Sequence, residues 1–253
     1  MRTVPEFTLR KTPGGTRFGL RDGQGPKPAP TLFVFQSTIE KSLTDDIYFH
    51  IGRLLGHHGY LSVSLDLPCH GADRRTEERD GLNGWRDRLD RGEDLVSGFC
   101  RQASEVLDFL IRERSADPER IVVAGTSRGG FMGFHFAASE PRVKRVAAFA
   151  PVTGLSVLSE FQGLENHALT RSLAARHLCA KLAGRPVWIC IGNNDQRVGT
   201  DLCIAFARQL VVASLAQGKP APVEIRVLPS EGHSTDTTAH KAAAAWMVGD
   251  TKG

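Results

Sequence analysis

Short apolar runs alternate with longer helical runs along this chain, and the alternation predicts an α/β fold on a mostly parallel central sheet. The runs interpreted as strands are apolar at nearly every position, which is typical of strands covered by helices on both faces. With 253 residues, 41% of them hydrophobic and 24% charged, the chain has the composition of a soluble globular protein and can bury a sizeable core. We therefore expect a single domain over residues 1–253.

The first half of the chain is expected to contribute an antiparallel hairpin, two buried strands and two helical stretches. The turn sequence TPGG joins the strands of the hairpin. The predicted elements are, in order, hairpin strands at 6–11 and 16–21, a strand at 31–36, a helical run over 42–59, a strand at 60–66, a polar loop from Leu67 to about Arg91, and an amphipathic helix of roughly 23 residues from Gly92.

The second half is expected to add four strands with helices between them. The predicted strands span 120–125, 143–151, 185–192 and 223–229. The clearest helix begins near Thr200, a plausible N-cap, and ends before Gly218. A segment of about 153–184 is long enough for one or two helices over a site and too short for a large cap, so we expect a small lid there.

Charge and composition argue against several classes of partner. The net charge is +4, and basic and acidic residues are interspersed, so nucleic acid is not expected to bind. No apolar stretch reaches the length of a membrane span or forms a signal-peptide core, which predicts a cytoplasmic protein without membrane contact. The cysteines form no C-x-x-C pair, so we expect reduced core thiols and neither a metal nor a cofactor: Cys69, Cys100, Cys179, Cys190 and Cys203. Oligomeric state is not indicated.

The sequence GTSRG at 125–129 fits the G-x-S-x-G pattern of a nucleophile elbow. In that turn a strained backbone projects the serine hydroxyl above the sheet, and the flanking glycines keep Cβ atoms away from a closely approaching strand and helix. The pattern alone is common in a chain rich in Gly and Ser. Its position between a β-branched strand and a helical run favours Ser127 as a nucleophile.

A serine nucleophile needs a base, and the base needs a group that fixes its tautomer. Asp195 follows the strand at 185–192, and His233 follows the strand at 223–229. Both therefore lie at the same edge of the sheet as Ser127, in the chain order Ser, Asp, His. This joint arrangement predicts a Ser127–His233–Asp195 triad.

Other polar residues compete for these roles. His70 also follows a strand, but it precedes the serine in the chain and is interpreted as structural or as a neighbour of the site. Glu231 and Asp236 lie close to His233 in sequence, and for that reason are less suited than Asp195 to reach the far ring nitrogen.

The loop after the strand at 31–36 and the start of the helical run after Ser127 are expected to form the oxyanion hole. Two backbone N–H groups are expected to form the hole, one from Arg128 and one from Thr38, with Ser37 as the next choice. The side chain of Arg128 is expected to form a structural ion pair, and a role in binding substrate is the less favoured alternative. Candidate pocket residues are Ser37, Trp85, Leu158 and Phe161, although core packing is an equal expectation for an aromatic such as Trp85.

The sequences GTSRGG, IGNNDQRVGT and EGH together resemble the α/β-hydrolase superfamily, in particular its dienelactone-hydrolase-like and prolyl-oligopeptidase-like branches. The resemblance spans roughly residues 17–249 and implies Ser127 as nucleophile, His233 as general base and Asp195 as the orienting acid. The chain has no room for the β-propeller of oligopeptidases, and its nucleophile is not the cysteine of dienelactone hydrolase. The resemblance thus implies a carboxylesterase acting on small-to-medium esters. The alternatives are a peptide or amide hydrolase or an acyltransferase and, less favoured, a ligand-binding relative without catalysis.

Overall fold

The computed structural model describes residues 7–230 and 232–249. The eight strands of these residues form one sheet. The sheet order is β1-β2-β4-β3-β5-β6-β7-β8. The strands are β1 (Thr8–Lys11), β2 (Arg17–Arg21), β3 (Ala29–Phe35), β4 (Leu61–Ser64), β5 (Ala116–Thr126), β6 (Val143–Phe149), β7 (Val187–Gly192) and β8 (Val223–Leu228).

The pairing of the strands confirms the predicted hairpin and the mostly parallel sheet. β1 pairs antiparallel with β2, and β2 pairs antiparallel with β4. From β4 to β8 every neighbouring pair is parallel. The carboxyl ends of β5, β6, β7 and β8 therefore lie along one edge of the sheet, where open α/β sheets bind ligands.

Nine α-helices cover the sheet within the described residues. They are α1 (Ile39–Thr44), α2 (His50–Gly56), α3 (Gly81–Asp90), α4 (Leu95–Arg112), α5 (Arg128–Ser139), α6 (Ala168–Ser172), α7 (Cys179–Leu182), α8 (Thr200–Ala216) and α9 (Thr237–Val248). In this part of the chain no helix is both long enough and apolar enough to cross a lipid bilayer.

The alternation of side chains along β3 divides the core in two. Leu32 and Val34 point to the face that α1, α2 and α9 cover. Phe33 and Phe35 point to the opposite face, where α4, α5 and α8 pack. Every residue of β3 is buried, and its sequence is an almost continuous apolar run, as expected for a central strand of a parallel sheet.

The structure corrects the sequence prediction in the helical segments before β5. The run 42–59 is not one helix, because Asp45 accepts hydrogen bonds from the backbone N–H groups of Ile47 and Tyr48 and so forms a turn between α1 and α2. The supposed loop 67–91 contains α3. The amphipathic helix begins at Leu95 instead of Gly92, since Asp94 caps its N-terminus.

The segment predicted as a small lid consists of short helical pieces. Besides α6 and α7, it forms 3₁₀ turns at Leu155–Val157, Ser159–Phe161 and Ala175–Leu178. None of these pieces extends beyond five residues, so the segment adds a thin layer of structure between β6 and β7.

All five cysteines are buried and unpaired, as expected from their spacing. Burial raises the pKa of each thiol, to about 12 for Cys69 and Cys203. A thiol in this state is a small apolar side chain and a poor nucleophile at neutral pH.

A buried histidine on α9 occupies an apolar environment. The His240 ring stacks on Phe149 at a centroid distance of 4.0 Å, and its two nitrogen atoms have no hydrogen-bond partner among the described residues. The ring of His50 lies 5.8 Å away. Burial, with a smaller contribution from His50, lowers the pKa of His240 to about 4.

We expect acid to destabilise the protein through His240. Because its pKa is lower in the folded chain than the ordinary 6.5, protonation favours the unfolded chain. The stabilisation is complete above about pH 6.5 and is lost as the pH falls toward 4, with a slope of up to about 1.4 kcal/mol per pH unit. His240→Leu should remove this share of the slope of the unfolding free energy, measured by urea titrations between pH 4 and 7. His135, whose pKa burial also lowers to about 4, should leave a similar slope in the variant.

The matched control is His58→Leu, at an exposed position in the turn after α2. It should retain the full slope of the wild type. An equal slope in wild type and His240→Leu would contradict the prediction.

Candidate active site

The three residues of the predicted triad follow three strands at one edge of the sheet. Ser127 comes directly after β5, Asp195 comes three residues after β7, and His233 comes five residues after β8. β6 lies between β5 and β7, and β8 is the last strand of the sheet. The fold therefore places all three at the carboxyl edge, as the sequence predicted.

Ser127 has the strained backbone of a tight strand-to-helix turn. Its φ of 55° and ψ of −117° lie in a region that residues other than glycine rarely adopt. Hydrogen bonds to the end of β6 and the loop after it hold the turn: Ser127 N–H donates to Phe149 O at 2.8 Å, and Ser127 O accepts from Val152 N–H at 3.2 Å. α5 begins at the next residue, so the serine lies at the N-terminal end of a twelve-residue helix.

Two glycines make this turn possible by close backbone contact. A Cβ on Gly125 would overlap the carbonyl of Gly129, and a Cβ on Gly129 would overlap the carbonyl of Phe35 at the end of β3. Backbone atoms cannot yield in the way that the end of a flexible side chain can. Both positions consequently require glycine, which is the physical reason for the G-x-S-x-G pattern.

Asp195 is fully buried and holds His233 by a short hydrogen bond. His233 Nδ1 lies 2.8 Å from Asp195 Oδ2, and the carboxylate side chain has no exposed surface. The other oxygen, Oδ1, accepts from the backbone N–H groups of Arg197 at 3.0 Å and Val198 at 3.2 Å. With Nδ1 donating to the carboxylate, the neutral imidazole keeps Nε2 as an acceptor.

Ser127 and His233 line the same cavity, which has a volume of about 230 Å³. Its walls also include Tyr48 and the loop after β8. No hydrogen bond joins Ser127 Oγ to His233 in the described structure; such bonds are often long before substrate binds. The lining residues are Gln36, Ile47, Tyr48, Thr126, Ser127, Arg128, Ala150, His233, Ser234 and Thr235.

A larger cavity, of about 460 Å³, lies on the far side of α5 against α4. None of the three triad residues lines it. The smaller cavity is the candidate active site because, of these two cavities, it is lined by both the strained serine and the oriented histidine.

The side chain of Arg128 contacts His70 instead of a carboxylate. Arg128 Nη1 lies 2.9 Å from His70 Nε2, and His70 Nδ1 lies 2.8 Å from Pro68 O. Since the carbonyl can only accept, Nδ1 carries the proton and Nε2 accepts from the guanidinium. Burial lowers the pKa of His70, which agrees with a neutral ring. The structural ion pair predicted for Arg128 is absent from the described part of the chain, and the interpretation of His70 as a neighbour of the site agrees with its position.

The structure places three of the predicted pocket residues in the hydrophobic core. Trp85, Leu158 and Phe161 are buried, and none of them lines the cavity with Ser127. Trp85 lies on the inner face of α3, and its indole N–H donates to Pro68 O. A helix with apolar residues at three- and four-residue spacing turns such side chains inward, and the prediction of a loop at 67–91 concealed this spacing.

The two residues predicted for the second half of the oxyanion hole lie just outside the cavity. Thr38 is the N-cap of α1, and its hydroxyl accepts from Lys41 N–H at 3.1 Å. Ser37 is buried, and its hydroxyl donates to Gln36 Oε1. Of this loop, Gln36 is the residue that lines the cavity.

Sequence reasoning missed several walls of the cavity. Ile47 and Tyr48 come from the turn between α1 and α2, and Ser234 and Thr235 follow His233. Proximity to His233 could have indicated the last two. No local signal marks Ile47 and Tyr48, because only the break between the two helices brings them to the serine. Glu231 lies outside the described residues, and Asp236 caps α9 by accepting from Ala239 N–H.

The sheet order, the strained serine after β5 and the oriented histidine after β8 define a member of the α/β-hydrolase superfamily. Residues 93–248 match the sequence profile of the prolyl oligopeptidase family, and the chain belongs to this family. The predicted superfamily relationship is thereby confirmed.

Individual proteins are similar to this chain at low sequence identity. A Bacillus subtilis (strain 168) protein named as a hydrolase, YtaP, is 23% identical over 192 residues, 73% of this chain, and the chain spans 63% of that protein's length. A Klebsiella pneumoniae structure described as a dienelactone hydrolase has a TM-score of 0.70 at 18% identity, covering 95% of this chain and 97% of that one. Porphyromonas gingivalis dipeptidyl peptidase 4 has a TM-score of 0.65 at 17% identity, covering 96% of this chain and 35% of that one.

We expect Gly129→Ala to destabilise the protein strongly. The new methyl group would overlap the backbone of β3, and the free energy of unfolding should fall by at least about 2 kcal/mol. Equilibrium urea unfolding followed by far-UV circular dichroism measures the change. Gly133→Ala in the same helix is the control, because its nearest neighbour outside the helix would be Val123 Cγ2 at an ordinary 3.5 Å. That variant should be as stable as the wild type or up to about 1 kcal/mol more stable; equal losses in both variants would contradict the prediction.

Proposed function

We propose that the chain is a serine hydrolase of the carboxylesterase type, cleaving small-to-medium carboxylic esters. The observation that carries the proposal is the Asp195–His233 hydrogen bond of 2.8 Å beside a cavity that also contains the strained Ser127. A buried carboxylate, a histidine with its acceptor nitrogen free and a serine on a tight turn are the components of nucleophilic acyl transfer. The cytoplasmic location expected from the sequence is part of this proposal, and five unpaired cysteines support it.

The proposed reaction has two acyl-transfer steps. His233 Nε2 accepts the proton of Ser127 Oγ while that oxygen attacks the ester carbonyl. The C–O bond to the alcohol then breaks, and the alcohol leaves with the proton from His233. In the second step a water molecule gives its proton to His233 and attacks the acyl-enzyme. The bond between the acyl carbon and Ser127 Oγ then breaks, His233 returns the proton to that oxygen, and the acid is released. Asp195 stays ionised and stabilises the imidazolium that forms twice in the cycle.

Two donors are proposed to stabilise the oxyanion. The N–H of Arg128 is in the first turn of α5, where no carbonyl of the helix is available to it. For the second donor we propose the side-chain amide of Gln36 in place of Thr38. Gln36 lines the cavity, and its Oε1 accepts from Ser37, which leaves Nε2 as a donor. The backbone N–H of Gln36 is engaged by Ser42 Oγ at 3.2 Å.

The size of the cavity supports a small acyl group. About 230 Å³ lies below the roughly 300–1,000 Å³ of pockets that enclose drug-sized ligands.

Membership of the prolyl oligopeptidase family favours a second candidate function, hydrolysis of a peptide or amide bond. Acyl transfer to another acceptor would use the same residues.

We expect a fluorophosphonate probe to form one adduct on the wild type and none on Ser127→Ala, measured by intact mass. The wild type should hydrolyse p-nitrophenyl acetate and butyrate faster than aminoacyl p-nitroanilides. Asp195→Asn should retain the fold and lower kcat by about 10⁴-fold, because the histidine would lose the partner that fixes its tautomer.

Thermal unfolding of each variant provides the control, since a folded but inactive Ser127→Ala separates chemistry from stability. Faster cleavage of the anilides would favour the peptidase. A folded wild type that forms no adduct would contradict the enzyme proposal and favour a ligand-binding role.

The proposed second donor predicts a selective loss in Gln36→Leu. Removing one donor of an oxyanion hole typically lowers kcat by about 10²- to 10³-fold, and KM should change far less because the donor acts on the transition state. Steady-state kinetics with p-nitrophenyl butyrate measures both constants. Thr38→Ala is the control and should keep kcat within a few-fold of the wild type. A kcat of Gln36→Leu close to that of the wild type would rule Gln36 out.

A further inference from the structure

The side chain of Arg128, next in sequence to the proposed nucleophile, has no acidic counter-ion among the described residues. Its guanidinium makes one hydrogen bond to a described residue, from Nη1 to His70, and Nε is buried without a partner. Within residues 7–230 and 232–249, Arg128 forms no ion pair at the 4.0 Å limit. Leaving a cation partly buried and unpaired is costly, and burial accordingly lowers the pKa of Arg128.

The two carboxylates that stabilise the charge of Arg128 are either paired with another residue or exposed to solvent. Glu160 pairs with Arg197 at 2.6 Å. Asp80 is exposed at the N-terminus of α3 and makes no ion pair within the described chain. Both act favourably on the charge of Arg128 from a distance, and Arg197 opposes them. No aspartate or glutamate belongs to the described walls of the cavity.

His70 holds the guanidinium without neutralising it. Pro68 O fixes the proton on Nδ1, so Nε2 can only accept from Arg128. The ring also lies against the buried Trp85 of α3, with centroids 6.3 Å apart. A neutral acceptor on a packed wall orients a guanidinium and preserves its charge, which is how a site for an anion is built.

We propose that Arg128 binds an anionic group of the substrate, so that the preferred ester carries a free carboxylate close to the scissile bond. Half-esters of short dicarboxylic acids have this chemistry. The inference rests on the proposed function, because it takes the anion to be part of a substrate. Anion binding by Arg128 itself can be tested without turnover. The main-chain N–H of the same residue is assigned to the oxyanion, and Nη2 of the guanidinium, which makes no hydrogen bond to a described residue, is assigned to the anion.

Binding is measured first, by isothermal titration calorimetry on Ser127→Ala. The ligands are the monomethyl esters of succinate, glutarate and adipate. Each is compared with the same methyl ester in which a carboxamide replaces the free carboxylate (called the monoamide below), which has the same shape and no charge. We expect at least one half-ester to bind at least about tenfold more tightly than its monoamide. Adding Arg128→Gln should reduce that ratio to within about threefold, and Arg128→Lys should restore part of it because the charge returns without the planar fork.

Turnover is measured second, as the ratio of kcat/KM for half-ester and monoamide in the wild type and in Arg128→Gln. A ratio is used because any disturbance of the oxyanion hole affects both substrates and cancels. The matched control is Arg86→Gln on α3, whose guanidinium is bound to the carbonyls of Glu160 and Gln162, so its removal frees no carboxylate. It should leave the ratio within about twofold of the wild type, as expected for a screened charge.

The outcomes separate this inference from the proposed function. Hydrolysis of neutral esters with no preference for any half-ester, in wild type and Arg128→Gln alike, would overturn the inference and leave the esterase standing. Binding of half-esters that depends on Arg128 in a protein that forms no fluorophosphonate adduct would support the anion site and sink the esterase. Equal loss of the ratio in Arg128→Gln and Arg86→Gln would also overturn the inference, because it would reduce the effect to overall charge.

Discussion

The backbone of Gly129 lies against the carboxyl end of β3, and this contact determines the geometry of the proposed site. It brings the first turn of α5 next to Phe35 and Gln36, so the start of a helix and the loop after a central strand face one cavity. Because the approach is between backbones, it fixes the position of Ser127 without depending on any side-chain rotamer. The positive φ of the serine is the strain that this approach requires, and hydrogen bonds to the end of β6 and the loop after it maintain it.

The remainder of the proposed triad depends on a division of hydrogen bonds at Asp195. One carboxylate oxygen is engaged by two backbone N–H groups of its own loop, and the other is left for His233. The loop in turn is closed by Thr200, whose hydroxyl donates to Gly192 O at 2.6 Å. The aspartate is therefore held in place before it meets the histidine, and its burial strengthens the contact by excluding water. Because β5, β7 and β8 run parallel, Asp195 and His233 lie at the same edge of the sheet as Ser127.

The sequence was informative wherever a pattern within one element decides the structure, and much less so for contacts between elements. The strands, their parallel order and the places of Ser127, Asp195 and His233 follow from apolar runs, turn residues and chain order. The cavity does not, because Tyr48 reaches it through a break between two helices and Gln36 through the end of a strand. The polar neighbours of Trp85 in the sequence indicate a loop, while its burial depends on the apolar face of α3. The partner of Arg128 is 58 residues away, and an arginine on a turn carries no sign of whether it meets a carboxylate or a neutral ring.

Arg128 combines two proposed functions that differ in how far they constrain the amino acid. The main-chain N–H at the start of α5 is supplied by any residue except proline, whereas the guanidinium over His70 is supplied by arginine alone. A codon change at this position therefore alters the electrostatics of the cavity and preserves the donor at the helix start. The main-chain N–H would serve the reaction that the superfamily shares, whereas the guanidinium would set the substrate preference of this chain. Divergence of substrate range within such a fold requires no rearrangement of the backbone, only exchange of a side chain that the elbow already holds at the reacting centre.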